Sequence, residues 1–311
     1  MPASRTSRSE LWPSLGIVVA SIGWGLFWLP LRAIEAMGVT GSWATVAVFA
    51  PGALALLPFA LPRARRLRRI GINVLVTGLF SGGAWALYSN SLLATEVVRA
   101  LLLFYLTPLW SALFARIVLG EPITPPRLIT IAMGIGGLIV ILGFEGGFPL
   151  PRNAGDWLGL ASGVVWAGAS VRLRREPAIP VIDGVFAFFL GGTLLSVGAA
   201  FAAVAPPPAR IVLDAAPLLI AVSVGFIVPS MVLIIAGAQR LSPGRVGILL
   251  MTEAVVGTIS AAVFADEPFG TREIAGALLV IAAGALDVLW VGRARPATDT
   301  NWTRTGIRPN S

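Results

Sequence analysis

The 311-residue chain has no cysteine, no histidine and no lysine, so all 23 of its basic residues are arginine. Without Cys there are no disulfides and no thiolate chemistry, and without His the commonest metal ligand and the commonest general base are gone. A Ser-His or Ser-Lys dyad cannot be assembled, nor can a nucleotide-binding Walker loop, which needs a Lys. Charge is scarce as well, at 12% of residues. Against these absences stand 56% hydrophobic residues and a mean hydropathy of +0.86, far above a soluble domain of this length. Water cannot be the main solvent of such a chain. Its formal net charge of +8 raises nucleic acid as a partner, but the arginines fall in short links and tails, which reads as membrane topology instead.

A helix needs roughly 20 mainly apolar residues to cross the hydrocarbon core. Ten such runs are present, at about Leu15–Leu31, Trp43–Leu61, Ile72–Leu93, Val97–Leu119, Leu128–Phe144, Trp157–Val171, Val181–Val204, Pro217–Ala238, Val246–Phe264 and Ile274–Val291. The first is not a cleaved leader, because Trp24, Phe27, Trp28 and Pro30 replace the small-residue site a peptidase needs. Alternate links carry very unequal charge: 18 arginines gather on one side, including Arg63, Arg65, Arg66, Arg68 and Arg69, and 5 on the other. Retention of positive charge then puts both termini in the cytoplasm of a bacterial inner membrane. The expected organisation is a tail over 1–10, a first five-helix unit over 11–145, a second over 146–292, and a polar, disordered tail over 293–311.

Two units are expected because the chain repeats itself. Arg99, Glu121 and Pro122 recur 146 positions later as Arg245, Glu267 and Pro268, with no gap, and at an offset of 142 Trp24 and Arg32 meet Trp166 and Arg174. Five spans per copy is an odd number, so the second copy enters from the opposite side, giving ten transmembrane helices in two inverted-topology repeats, an all-α integral membrane fold. Inverted copies enclosing one central site are the physical basis of alternating access. A membrane enzyme fits poorly, since only Glu253 lies deep, and a channel fits poorly because no filter-like Gly-rich motif is visible.

The Trp24-Gly25 pair, the run Tyr105-Leu106-Thr107-Pro108-Leu109-Trp110, Gly120-Glu121-Pro122 and Leu241-Ser242-Pro243-Gly244-Arg245 resemble the drug/metabolite transporter superfamily in its EamA-type branch. Within it, the chain is most similar to the YddG-type aromatic amino acid exporters, over about residues 12–292. The resemblance implies a secondary active or facilitative exporter of small metabolites, with amino acids bearing aromatic or other neutral side chains as cargo, no cofactor, and a monomeric or weakly oligomeric state in lipid. The family's Glu-Pro in span nine is here Glu253-Ala254.

An ionisable group at mid-bilayer costs ~2.5–3.5 kcal/mol on insertion scales and is by default a functional candidate. Glu253 lies halfway along span nine, with Arg99 or neighbouring hydroxyls as its expected partners. It is a proton-coupling carboxylate, a counter-charge for a substrate ammonium, or a helix-to-helix tie that never titrates. Pro51, Pro108 and Pro229 interrupt backbone bonding within spans, and Thr107 and Ser230 beside the latter two make Pro108 and Pro229 the candidate hinges. Trp24 with Trp28, Trp85 with Tyr88, and Tyr105, Trp110 and Trp166 occupy central spans, where aromatic faces hold planar rings or cations; the competing reading is ordinary helix packing. Trp12, Trp43, Trp157 and Trp290 fall at span ends, as interfacial residues do. Gly78 with Gly82, and Gly159 with Gly163, have the spacing of close helix contacts. Arg99 is expected to anchor at the interface and pair with Glu96.

Overall fold

The computed structural model describes residues 5–63, 72–120, 122–142, 151–175, 179–203, 205–241, 243–265 and 270–291. The arginine cluster over 65–69, Glu121, the Glu267-Pro268 pair and the tail after Val291 lie outside the described residues. Every regular element described is helical: α1 (Arg5–Gly25), α2 (Trp28–Ala36), α3 (Ser42–Ala60), α4 (Ile72–Ala94), α5 (Val97–Phe104), α6 (Thr107–Leu119), α7 (Pro125–Leu142), α8 (Ala154–Arg175), α9 (Val181–Ala203), α10 (Ala209–Ile220), α11 (Val228–Arg240), α12 (Pro243–Phe264) and α13 (Thr271–Val291). A single 3-10 turn follows α3, and a wide π-helical stretch, Ala221–Ile227, joins α10 to α11.

Three of the apolar runs are not plain helices. The first divides at Leu26 and Phe27, whose amides turn back to the carbonyls of Gly23 and Trp24, and Pro30 sits in the first turn of α2, where a missing N–H costs nothing. The fourth divides at Tyr105 and Leu106, so Pro108 opens α6 instead of kinking an unbroken span. Pro229 likewise is the second residue of α11, directly after the π stretch. Pro51 stays inside the unbroken α3. Gly120, at φ +69°, ends α6 in the left-handed conformation that residues with a Cβ rarely adopt.

The packing follows the internal repeat. α8 lies against α4 and α5, while its counterpart α1 lies against α11 and α12, so exchanging the two copies maps one set of contacts onto the other. α7 packs on α13, and α9 is wedged between α3 and α4. The last crossing is made backbone to backbone. A Cβ added to Gly82 would stand 2.2 Å from the Phe188 carbonyl oxygen and 2.3 Å from the Gly192 amide, and one added to Gly78 would stand 2.4 Å from the Ala187 oxygen. Lipid supplies no hydrophobic force between helices, so small residues of this kind are what let dispersion and backbone contacts hold them together.

Large apolar side chains face outward in stripes, as on α1, where Leu15, Val19 and Ile22 are 45%, 62% and 43% exposed. Five stretches, Glu10–Ala36, Ser42–Arg63, Val97–Leu119, Val181–Ala203 and Ala209–Arg240, are long and apolar enough by themselves to cross a bilayer. Others carry buried polar residues, such as Ser81, Ser89 and Ser91 on α4, which a helix enclosed by neighbours tolerates better than one facing lipid. The protein is therefore a multi-pass membrane protein.

Gly82→Val should force α4 and α9 apart. We expect a loss of about 1–3 kcal/mol, typical of overpacking, read as a lower midpoint of thermal unfolding in detergent and a smaller monodisperse fraction. An unchanged midpoint would show that the crossing is not held at backbone contact.

Candidate functional site

Glu253 is fully buried in the middle of α12, and the carboxyl is reached from two other helices. Tyr88 Oη, on α4, donates to Glu253 Oε1 at 2.8 Å, and Tyr105 Oη lies 2.8 Å from Oε2. Tyr105 occupies the break between α5 and α6, which is why its ring can turn toward α12. Its hydroxyl is also 2.6 Å from the Leu250 carbonyl oxygen. A phenol has one proton for these two neighbours, and the amide carbonyl can only accept. Among the described residues no arginine forms an ion pair with Glu253, so Arg99 is not its partner.

Gly25 brings the broken first span onto the same point. A Cβ there would fall 2.8 Å from the Glu253 carbonyl oxygen and 2.9 Å from the Gly257 amide, so α1 meets α12 with only hydrogens between them. This close approach sets Trp24 beside the carboxyl-bearing turn. Trp24 stacks on Trp85 with ring centroids 3.9 Å apart, and Trp85 meets Tyr88 and Trp166 edge to face at 5.0 and 5.9 Å. Phe104 joins Trp85, Tyr88 and Tyr105, and Phe226, from the π stretch, tilts against Trp24 at 5.4 Å. The cluster is buried, yet the indole N–H groups of Trp24, Trp85 and Trp166 have no hydrogen-bond partner among the described residues. Buried donors are normally paired, because each unpaired one loses its hydration for no return. A small cleft of about 20 Å³, room for about one water, adjoins the site and is lined in part by Tyr105, Pro108, Thr130, Ile131 and Met251.

Not every candidate joins this cluster. Trp28 begins α2 after the break, so it does not share a continuous helical face with Trp24; it donates to Ser260 Oγ at 2.9 Å and carries Arg32 over its ring at 5.2 Å. Thr107 Oγ1 bonds back to the Phe104 carbonyl and lies 3.3 Å from the Gly163 carbonyl oxygen, so it restarts the helix after the break. Trp110 is only partly buried and has no ring contact with the cluster among the described residues. Ser230, with Pro229, lies in the first turn of α11, near the π stretch that carries Phe226. Among the described residues Arg99 does not form the expected ion pair with Glu96. It clamps Asp156, a fully buried carboxylate in the first turn of α8. Spacing along one helix found Glu96; the true partner is 57 residues away in sequence. Phe104, Phe226 and Asp156 carried no sequence signal beyond their residue type.

Residues 11–143 and 153–287 each match the model of the EamA-like transporter family. A curated relative, the aromatic amino acid exporter YddG of Ancylobacter novellus, is 30% identical over 179 residues, 50% of this chain and 61% of the relative. The match thus spans less than two thirds of that protein. A solved crystal structure, with 22% sequence identity, superposes with a TM-score of 0.64 over 94% of this chain and the whole of that one, which establishes the shared fold.

Removing either phenol leaves the buried carboxyl short of a partner, at a cost of about 1–3 kcal/mol. Tyr105→Phe should lower the midpoint of thermal unfolding more than Tyr88→Phe, since it also strips the Leu250 carbonyl. Equal and negligible shifts would mean that neither hydroxyl supports Glu253.

Proposed function

The chain belongs to the EamA-like transporter family, and on that premise we propose that it exports small neutral metabolites with a planar apolar body, aromatic amino acids foremost, by alternating access between two inverted five-helix copies. In this reading ten helices cross the inner membrane, both termini are cytoplasmic, residues 11–145 and 146–292 are the two copies, and their shared site is the cluster around Glu253. The observation that carries the proposal is the juxtaposition of that one buried carboxyl with stacked aromatic rings whose N–H donors are unpaired. An amino acid offers a group for each: an ammonium for Glu253, a ring for the faces of Trp24, Trp85 and Trp166, and a carboxylate for indole donors. Ring stacking alone would select any flat apolar solute; the carboxyl adds the preference for a cation.

The single phenolic proton on Tyr105 supports a role for protons. When it goes to the Leu250 carbonyl, the contact with Oε2 is filled by a carboxyl O–H of Glu253 donating to Tyr105 Oη. This hydrogen-bond arrangement therefore suits a protonated Glu253, and a substrate ammonium suits an ionised one. Exchange of a proton for the ammonium at one carboxyl couples export to proton entry, with Pro108 at the α5–α6 break and Pro229 after the π stretch as the hinges that let the site open.

In proteoliposomes, labelled phenylalanine, tyrosine or tryptophan should leave in a saturable manner and faster with a favourable pH gradient. Linear, very rapid flux would identify a channel, and no flux of any tested solute would remove the exporter reading. Glu253→Gln should abolish stimulation by the gradient and weaken apparent affinity for the amino acid, and Trp85→Ala should lower flux at least tenfold. Gradient stimulation that survives Glu253→Gln would take the carboxyl out of coupling.

A further inference from the structure

The seam between the first span and α12 continues past Glu253 toward one end of the helices. Glu253, Gly257 and Ser260 recur at helical spacing on the side of α12 that meets the first span. Gly25 lies against the Glu253 carbonyl oxygen and the Gly257 amide, while Ser260 Oγ accepts from Trp28 Nε1 at 2.9 Å and lies 3.2 Å from the Gly25 carbonyl oxygen. One turn beyond Trp28 stands Arg32, its guanidinium carbon 5.2 Å from the centre of the indole. At ~1.5 Å per residue, the step from Glu253 to Ser260 alone covers about 10 Å. An amino acid carries its ammonium and its carboxylate on one carbon, so it cannot engage Glu253 and Arg32 together.

Arg32 is half-buried and has no anion. The ion pairs among the described residues are Arg63 with Asp183, Arg99 with Asp156 and Arg210 with Asp214. Glu35, one turn on in the same helix, lies instead 3.4 Å from the Gly41 amide. Two long contacts hold the Arg32 guanidinium, both from Nη2: 3.5 Å to the Leu92 carbonyl oxygen and 3.4 Å to that of Thr95, at the C-terminal end of α4. The negative end of a helix dipole favours a cation there, and the Trp28 face adds to it. These groups aim the guanidinium but use one of its three nitrogens, so Nε and Nη1 keep their donors unspent among the described residues. Arg99 shows what such a fork takes when it is filled, with Nε and Nη2 together on the Asp156 carboxylate.

We propose that Arg32 is a second station on the cargo's path, a carboxylate-binding site that takes the anionic end of the amino acid after its ammonium has left Glu253. This rests on the exporter reading above. Arg32 is one of the 5 arginines on the sparsely charged side, the outer one in the proposed topology, so the station lies toward the exit. The guanidinium is held in place before the anion arrives, which spares the cost of ordering it. Its charge is meanwhile offset in part by carbonyls and a ring face, so a carboxylate binds there and is released again. The two stations thus act on opposite ends of one solute in turn, Glu253 on the cation and Arg32 on the anion.

Three solutes separate the two ends of the cargo: phenylalanine, 3-phenylpropanoate, which lacks the ammonium, and 2-phenylethylamine, which lacks the carboxylate. Equilibrium dialysis of each labelled solute against the purified protein reads their binding. Arg32→Gln should weaken 3-phenylpropanoate at least fivefold and leave 2-phenylethylamine within twofold; Arg32→Lys, which keeps the charge and loses the fork, should recover part of that loss. In proteoliposomes Arg32→Gln should slow phenylalanine efflux at least threefold, and an unchanged rate would take Arg32 off the path. If Arg32 only caps α4, its loss weakens all three solutes alike or none of them; either result overturns the proposal, as does a parent protein that binds no 3-phenylpropanoate. Arg32-dependent binding of 3-phenylpropanoate without flux of any aromatic amino acid would keep the anion station and reject the cargo assigned above.

Discussion

A carboxyl group with no ion-pairing arginine among the described residues, enclosed by apolar helices, is the constraint to which much of the structure answers. Glu253 must have hydrogen-bond partners, and the chain has only two tyrosines. Both set their hydroxyls against it. Bringing them there requires α4, α12 and the α5–α6 break to converge, and the convergence in turn requires Gly25 and Gly257 where the first span crosses, since any side chain at position 25 would displace the Glu253 turn. The aromatic cluster is packed around this meeting point. Its rings fill the space that a single buried acid would otherwise leave to water.

The two copies share a frame and differ in chemistry. Position 107, the equivalent of position 253 at the repeat offset, holds a threonine whose hydroxyl is used on the backbone of its own helix break. One copy thus contributes the breaks at 26–27 and 105–106, and the other contributes the carboxyl on an unbroken helix and the π stretch. Divergence of this kind is expected when symmetric scaffolds enclose one asymmetric solute. The copies stay alike in packing, whereas the cluster where they meet presents unlike groups.

Much of this was legible from residue order. Apolar runs gave the helices, because lipid leaves a backbone few alternatives, and the repeat was visible because Arg99 and Arg245 kept an ungapped offset. Glu253 stood out by depth alone, and hydroxyl partners were among those foreseen for it. What could not be read were the partners of long range. Arg99 was matched to the acid on its own helix, although geometry joins it to Asp156 on another. Trp24 and Trp28 are spaced for one face of a continuous helix, and the two-residue break at Leu26 and Phe27 separates them. Proline signalled irregularity at 108 and 229 correctly, but the interruption falls before each proline, since the ring is most easily accommodated where a helix begins.

The π stretch has a geometric consequence for the helix that follows it. Each wide turn spends one residue more than an α-turn, and one residue is worth about 100° of rotation around the axis. Were Ala221–Ile227 to tighten to ordinary α geometry, α11 would swivel by about that angle, carrying Ser230 and Met231 round to a different neighbour. A protein can thus store a quarter turn of torsion inside one rod without lengthening any loop, and release it without breaking the rod's ends free.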